Sequence, residues 1–226
     1  MTLPIEWEPR SQRYRFTDTK RFANERQIRA LVQDGIAQRA AGVRKLEDEL
    51  ISGKLSLISW QRQTAQELKL IHQWNWMLGV GGYPQIRDRD RELLTARIDS
   101  ELKYFGQFGD DLATGKISVA QFRARAAQYR AAGGTTYEAA RYESHAREGY
   151  KWGSRHRTVS ESCSECREYE GRGVVRFEDV IPPGLQCSCR SNCRCYVRYY
   201  KNRPGADGVA GSNMLDRKWG WCGVAS

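Results

Sequence analysis

The sequence predicts a mainly α-helical body followed by a small C-terminal β module pinned by cysteines. Three observations predict it. Apolar residues recur at helical spacing through the first two thirds of the chain. A helix-turn-helix pattern occurs twice, at an offset of 62 residues, and six of the seven cysteines fall within 163–195 with none in the first 162. At 226 residues, with 40% hydrophobic side chains, the chain can bury one sizeable core or two small ones.

In chain order, residues 1–17 read as an N-terminal arm, 18–150 as a helical body, 151–203 as a Cys-rich β module and 204–226 as a Gly-rich tail. The apolar periodicity predicts helices over 18–51, 57–79, 87–113, 118–132 and 135–150, with glycine punctuation at GVGGYP (79–84) and AAGG (131–134). The internal repeat sets LEDELISGKLSLISW (46–60) over FGDDLATGKISVAQF (108–122). Gly53 and Gly115 suit the left-handed residue that ends a helix, and three residues later Ser56 and Ser118 suit the cap of the next. Leu55 with Trp60, and Ile117 with Phe122, occupy hydrophobic-staple positions, and Gln121 completes a capping box. Two copies are too few for a solenoid, so a helical bundle is expected.

No functional chemistry stands out in the body. Trp74, Trp76 and Met77 at a helix end read as core, His72 and His145 as surface or packing residues, and RDRDRE (87–92) as a solvated face. The module carries more. Its cysteines read Cys163-x2-Cys166, then twenty residues, then Cys187-x-Cys189-x3-Cys193-x-Cys195. A CxxC pair with a cysteine-dense partner is the pattern of a closed tetrahedral site, which is structural because no position is left for water. Cys163, Cys166, Cys189 and Cys193 form the favoured ligand set, with Cys187 and Cys195 as alternates, and zinc as the expected ion. Disulfides formed outside the cytosol are the alternative to metal. Val174, Val175 and Phe177 suggest one short strand and CRCYVRYY (193–200) another, around a Pro182-Pro183-Gly184 turn.

The formal charge of +10 is spread as 22 basic against 17 acidic residues in 1–140 and 15 against 10 in 141–226, so neither part is a basic tail. The local exception is an acid-free stretch between Asp179 and Asp207 that holds Arg190, Arg194, Arg198, Lys201 and Arg203. These are the candidate nucleic-acid-binding residues, with Tyr196, Tyr199 and Tyr200 available for stacking on bases. No G-x-S-x-G, H-E-x-x-H or phosphate-cradling glycine loop occurs, and His145-Ala-Arg-Glu148 misses the deaminase H-x-E spacing, so a non-enzyme without a small-molecule substrate is expected. No run approaches a membrane span or a signal-peptide core, which points to cytoplasmic synthesis and no membrane partner.

The order of parts resembles tailed-phage minor head or head-morphogenesis proteins, the Mu F-like group. The resemblance spans about 45–200: helices joined by the G-K-[LI]-S turn, YEAARYESHAREGYKWGSRHR, Cys163-x2-Cys166, a Gly/Pro-rich link with Pro182-Pro183-Gly184, and Asn192-Cys193-Arg194-Cys195. Many members have His-Pro before N-C-R-C, whereas this chain has Arg190-Ser191 with Cys189 just ahead, which leaves the fourth ligand open. The resemblance implies a non-enzymatic virion component that joins the head near the portal and contacts portal, capsid or scaffold, with packaged DNA nearby. The alternative is a zinc-ribbon nucleic-acid-binding protein. On the head-protein reading, Trp219 and Trp221 of the tail are expected to anchor on a partner.

Overall fold

A computed structural model describes residues 4–204 and is mainly helical with a small C-terminal sheet. The tail, with Trp219, Trp221 and Cys222, lies outside the described residues. The chain opens on an antiparallel hairpin of β1 (Ile5–Glu8) and β2 (Arg13–Phe16). Five helices follow: α1 (Glu25–Ile51), α2 (Leu57–Val80), α3 (Asp88–Ala113), α4 (Val119–Ala131) and α5 (Gly133–Arg147). The module adds β3 (Trp152–His156), α6 (Ser164–Gly171), β4 (Val174–Arg176) and β5 (Tyr196–Tyr200). Its sheet order is β4-β3-β5, antiparallel throughout.

Within the stretch expected as an N-terminal arm, residues 5–16 form a hairpin packed on the helices. I-E-W-E and R-Y-R-F alternate with strand period, and the hairpin buries Ile5 and Tyr14 against Ile28, Val32, Ile36 and Leu78. Tyr14 Oη donates to the Leu78 carbonyl at 2.7 Å. The helix expected from residue 18 starts only at Glu25, because Asn24 and Gln27 form a reciprocal capping box at 2.9 Å in both directions.

The two G-K-[LI]-S turns take the local geometry their residues favour. Gly53 and Gly115 have φ of +72° and +67°, and the hydroxyls of Ser56 and Ser118 accept from the backbone N–H of Ser59 and Gln121. Trp60 and Phe122 then enter one aromatic cluster with Phe105, Phe108 and Tyr129, while Leu55 and Ile117 pack on its edge. The AAGG stretch behaves differently. Ala132 is right-handed helical and Gly133 already belongs to α5, so the expected break is a join between two helices. Its glycine serves close packing, since a Cβ on Gly133 would lie 2.6 Å from both Asn75 Nδ2 and Ile71 Cγ2.

Charge at the start of α3 is likewise not all solvated. Asp90 is fully buried, accepting from the Arg87 backbone at 2.9 Å, the Trp76 indole at 3.3 Å and Arg147 at 2.6 Å. Trp76 is buried with Val80 and Ala140, and Trp74 and Met77 pack against the hairpin cluster. His72 is enclosed between α3 and α5, its Nδ1 2.7 Å from Thr136 Oγ1 and its Nε2 3.1 Å from Glu101.

Candidate metal centre

The module is built outward from β3, a strand the sequence pattern did not reveal. Successive residues of a strand face opposite sides of the sheet. Gly153 and Arg155 therefore point inward with Val197 and Tyr199, while Trp152, Ser154 and His156 pair in register with Tyr200, Arg198 and Tyr196 on the outer side. The inner side joins Phe177, Val180, Val197 and Tyr199 to Tyr142 of α5 and to Tyr150. His145 of α5 stacks on Tyr199 with ring centroids 4.4 Å apart. Burial first, then the neighbouring Arg141 charge, lowers the His145 pKa to about 3, so its imidazole is neutral at physiological pH. Arg141 completes the junction. It lies 3.0 Å from Glu25 and 3.5 Å from Glu138, donates to the Val197 carbonyl at 3.4 Å, and sits over the Tyr137 and Tyr199 rings.

Beyond this junction the six cysteines converge. Cys163 is the N-cap of α6 and Cys166 lies in its first turn, so both thiols sit at the positive end of a helix. Cys187 and Cys189 arrive on a tight turn, in which Arg190 N donates to the Cys187 carbonyl at 3.0 Å and Asn192 N to the Cys189 carbonyl at 2.9 Å. Arg190 takes φ of +46° there. Cys193 and Cys195 lie on the extended run into β5.

Four thiols, from Cys163, Cys166, Cys187 and Cys189, lie within 4.8 Å of one another; Cys166, Cys193 and Cys195 form a second such group. Tetrahedral zinc with Zn–S of about 2.3 Å sets its sulfurs about 3.8 Å apart, and Cys166 and Cys189 are 4.0 Å apart. The four-thiol group thus has the donor chemistry and spacing of a closed thiolate site. It differs from the set favoured by sequence at one position, with Cys187 in place of Cys193. Cys193, although its sulfur lies near that of Cys166, falls with Cys166 and Cys195 in the other group. All six thiols are free, and Cys166 to Cys193, at 3.7 Å, is far beyond a bond of about 2.05 Å, so no disulfide joins them.

Arg155 is the residue that sequence reasoning missed. Buried on the inner side of β3, it donates through Nη2 to Cys193 at 3.2 Å, Cys166 at 3.4 Å and Cys187 at 3.7 Å, and through Nη1 to the Ile181 carbonyl at 2.9 Å. Crowded thiols cannot all ionise alike. The Cys195 thiol, against the opposing effect of burial and with help from Arg155, holds Cys193 down to about 4, while its own proton is held more tightly. Burial opposes ionisation of Cys163, but hydrogen bonds from Cys189 and Cys166 bring it to about 7. Beside the turn, Glu165 is held at about 2 by its own backbone N–H first, then by Cys163 and Ser188.

Arg190, Arg194, Arg198, Lys201 and Arg203 are all exposed, and none forms a salt bridge among the described residues. Arg198 projects from the outer sheet face near Tyr196, and Arg203 lies over Trp152. Of the three tyrosines expected to stack on bases, Tyr199 is buried in the module core, while Tyr196 and Tyr200 are half-buried on the outer face. Among the described residues no helix is long and apolar enough to cross a membrane. Comparison with protein-family models, curated proteins and solved structures finds no match to this chain.

Proposed function

We propose that the chain is a non-enzymatic structural protein of a tailed-phage particle, a minor head or head-morphogenesis component that acts near the portal, with structural zinc in its cysteine cluster. One observation carries the reading. Cys163-x2-Cys166 and Cys193-Arg194-Cys195, the motifs that bear the resemblance, are far apart in sequence yet meet in one thiol cluster on a sheet docked to the helical body. Zinc bound to thiolates would supply cross-linking, not reaction chemistry. The residues around it do the rest: α6 and the Cys187–Cys189 turn present the sulfurs, and Arg155 places a positive charge beside them. Arg141, His145 and Tyr199 seat the cluster on α5. Such a module gives a rigid outer surface for a portal, capsid or scaffold protein, with the helices as the spacer. Mass spectrometry of density-purified particles tests this directly. A low and reproducible copy number relative to portal protein is expected, and absence from particles would refute a virion role.

The second reading, a zinc-ribbon nucleic-acid-binding protein, is favoured by the outer sheet face, where Trp152, Tyr196 and Tyr200 lie among Arg176, Arg198 and Arg203. Aromatic rings interleaved with unpaired cations suit bases and phosphates. Binding that weakens steeply with salt, and that falls when Arg194, Arg198 and Lys201 become Ala, would establish this reading. Affinity unchanged by those substitutions would eliminate it.

A further inference from the structure

The six thiols exceed what one tetrahedral ion needs, and their arrangement says what the surplus does. Cys163, Cys166, Cys187 and Cys189 supply four sulfurs to one position, and Cys166 recurs in the second group with Cys193 and Cys195. Six thiolates can serve two four-coordinate ions only if two sulfurs are shared. Cys166 is the sulfur common to both groups, and Cys187, which lies 3.7 Å from the Arg155 Nη2 that also touches Cys166 and Cys193, is the second sulfur that an ion at that position would draw on with Cys193 and Cys195.

That second position coincides with a guanidinium. Arg155 Nη2 lies within 3.2–3.7 Å of Cys193, Cys166 and Cys187, three of the four sulfurs that a second ion would need. The residue is only 5% exposed, and its other terminal nitrogen is tied to the Ile181 carbonyl, so the guanidinium is held at the cluster from both ends. A buried guanidinium needs negative partners to offset lost hydration. The Cys193, Cys166 and Cys187 sulfurs are the acceptors its Nη2 meets there, and among the described residues no carboxylate forms a salt bridge with Arg155.

We infer that Arg155 stands in the place of a second metal ion, so that the six-thiol cluster takes one thiophilic divalent cation and one guanidinium. The inference rests on the reading of the cluster as a metal centre. Cys193 and Cys195 are then not ligands of the resident ion. They are acceptors for Arg155, and with Cys166 and Cys187 they form a latent site that opens when the arginine is removed.

The test is native mass spectrometry of the full chain, saturated with zinc and freed of excess by buffer exchange. The wild-type chain should hold one zinc, Arg155→Lys one, and Arg155→Met two. A Cys193→Ser/Cys195→Ser double variant should still hold one, at wild-type affinity in a chelator competition. Two zinc ions in the wild type would overturn the inference while leaving the metal centre intact. So would a single ion in a folded Arg155→Met chain, or loss of zinc from the double variant, which also decides the matter if Arg155→Met does not fold. No zinc in the wild type would refute the metal reading and this inference together.

Discussion

The helical body and the cysteine module are held together by different physics. At the centre of the body Trp60, Phe105, Phe108, Phe122 and Tyr129 interlock, with Trp60 5.1 Å from Phe105 and 5.3 Å from Phe122 between ring centroids. This cohesion comes from removing apolar surface from water and requires nothing bound. The module buries only Phe177, Val180, Val197 and Tyr199 in its own apolar cluster, and borrows Tyr142 from α5 to cover them. Its remaining centre is sulfur and one guanidinium. Small β units of this kind need a staple. One chain thus contains a part held by apolar burial and a part centred on thiols and a buried guanidinium, and the two should fail under different insults.

The sharpest way to separate them is to remove the staple. Structural zinc contributes an apparent ~10–16 kcal/mol in small zinc-binding peptides, more than so small an apolar cluster can replace. Cys166→Ser, or a strong chelator, should therefore expose residues 160–200 to protease while the far-ultraviolet helical signal is largely kept. Unchanged protease resistance would break the distinction. The reciprocal experiment is Trp60→Ala, expected to cost the body ~3–5 kcal/mol by leaving an aromatic-sized cavity. Thermal unfolding followed by circular dichroism measures it, and zinc content of the folded protein should not change.

Smaller effects sharpen the boundary between the regions. Arg141→Met removes the cation shared by Glu25, Glu138 and the Val197 carbonyl. A loss of about 3 kcal/mol is expected, at the low end for breaking a buried pair, because Glu138 keeps Arg29 as a partner. Denaturant unfolding should then show two transitions in place of one. His145 gives the mildest test. Its folded pKa, about 3, lies below the value of about 6.5 for a free imidazole, so the unfolded chain binds the extra proton. Its contribution is fully present above pH 6.5 and lost as pH falls toward 3, at about 1.4 kcal/mol per unit through that window. Between pH 6.5 and 5, His145→Phe should show a shallower decline in stability than wild type; equal slopes would remove His145 from the account of the junction.

Much of this architecture was legible in the residues because its causes are local. The turns at Gly53 and Gly115 follow from a left-handed glycine and a serine three residues on, and the five helices follow from apolar spacing. The missed elements have non-local causes. Gly133 looked like a helix break, yet it is small because Ile71 and Asn75 of α2 press on it. Asp90 looked solvated within an alternating charge run, yet Arg147 from α5 and Trp76 from α2 enclose it. The hairpin of residues 5–16 reads as an arm in the sequence because four-residue strands carry little pattern until a core is there to receive them.

The cysteine cluster divides along the same line. By itself the sequence determined that six thiols would be crowded into 163–195, and that a CxxC pair would sit opposite a denser group, because ligand spacing within a turn is a local property. Only the tertiary structure decided that Cys187 groups with Cys163, Cys166 and Cys189, and that Cys193 and Cys195 group with Cys166. It also decided that Arg155, an arginine in a stretch with no readable pattern, reaches the sulfurs. Those choices depend on where β3 places its inward residues and on the direction in which the chain leaves the Cys187–Cys189 turn. Both are set by packing against α5, which no spacing along the chain encodes.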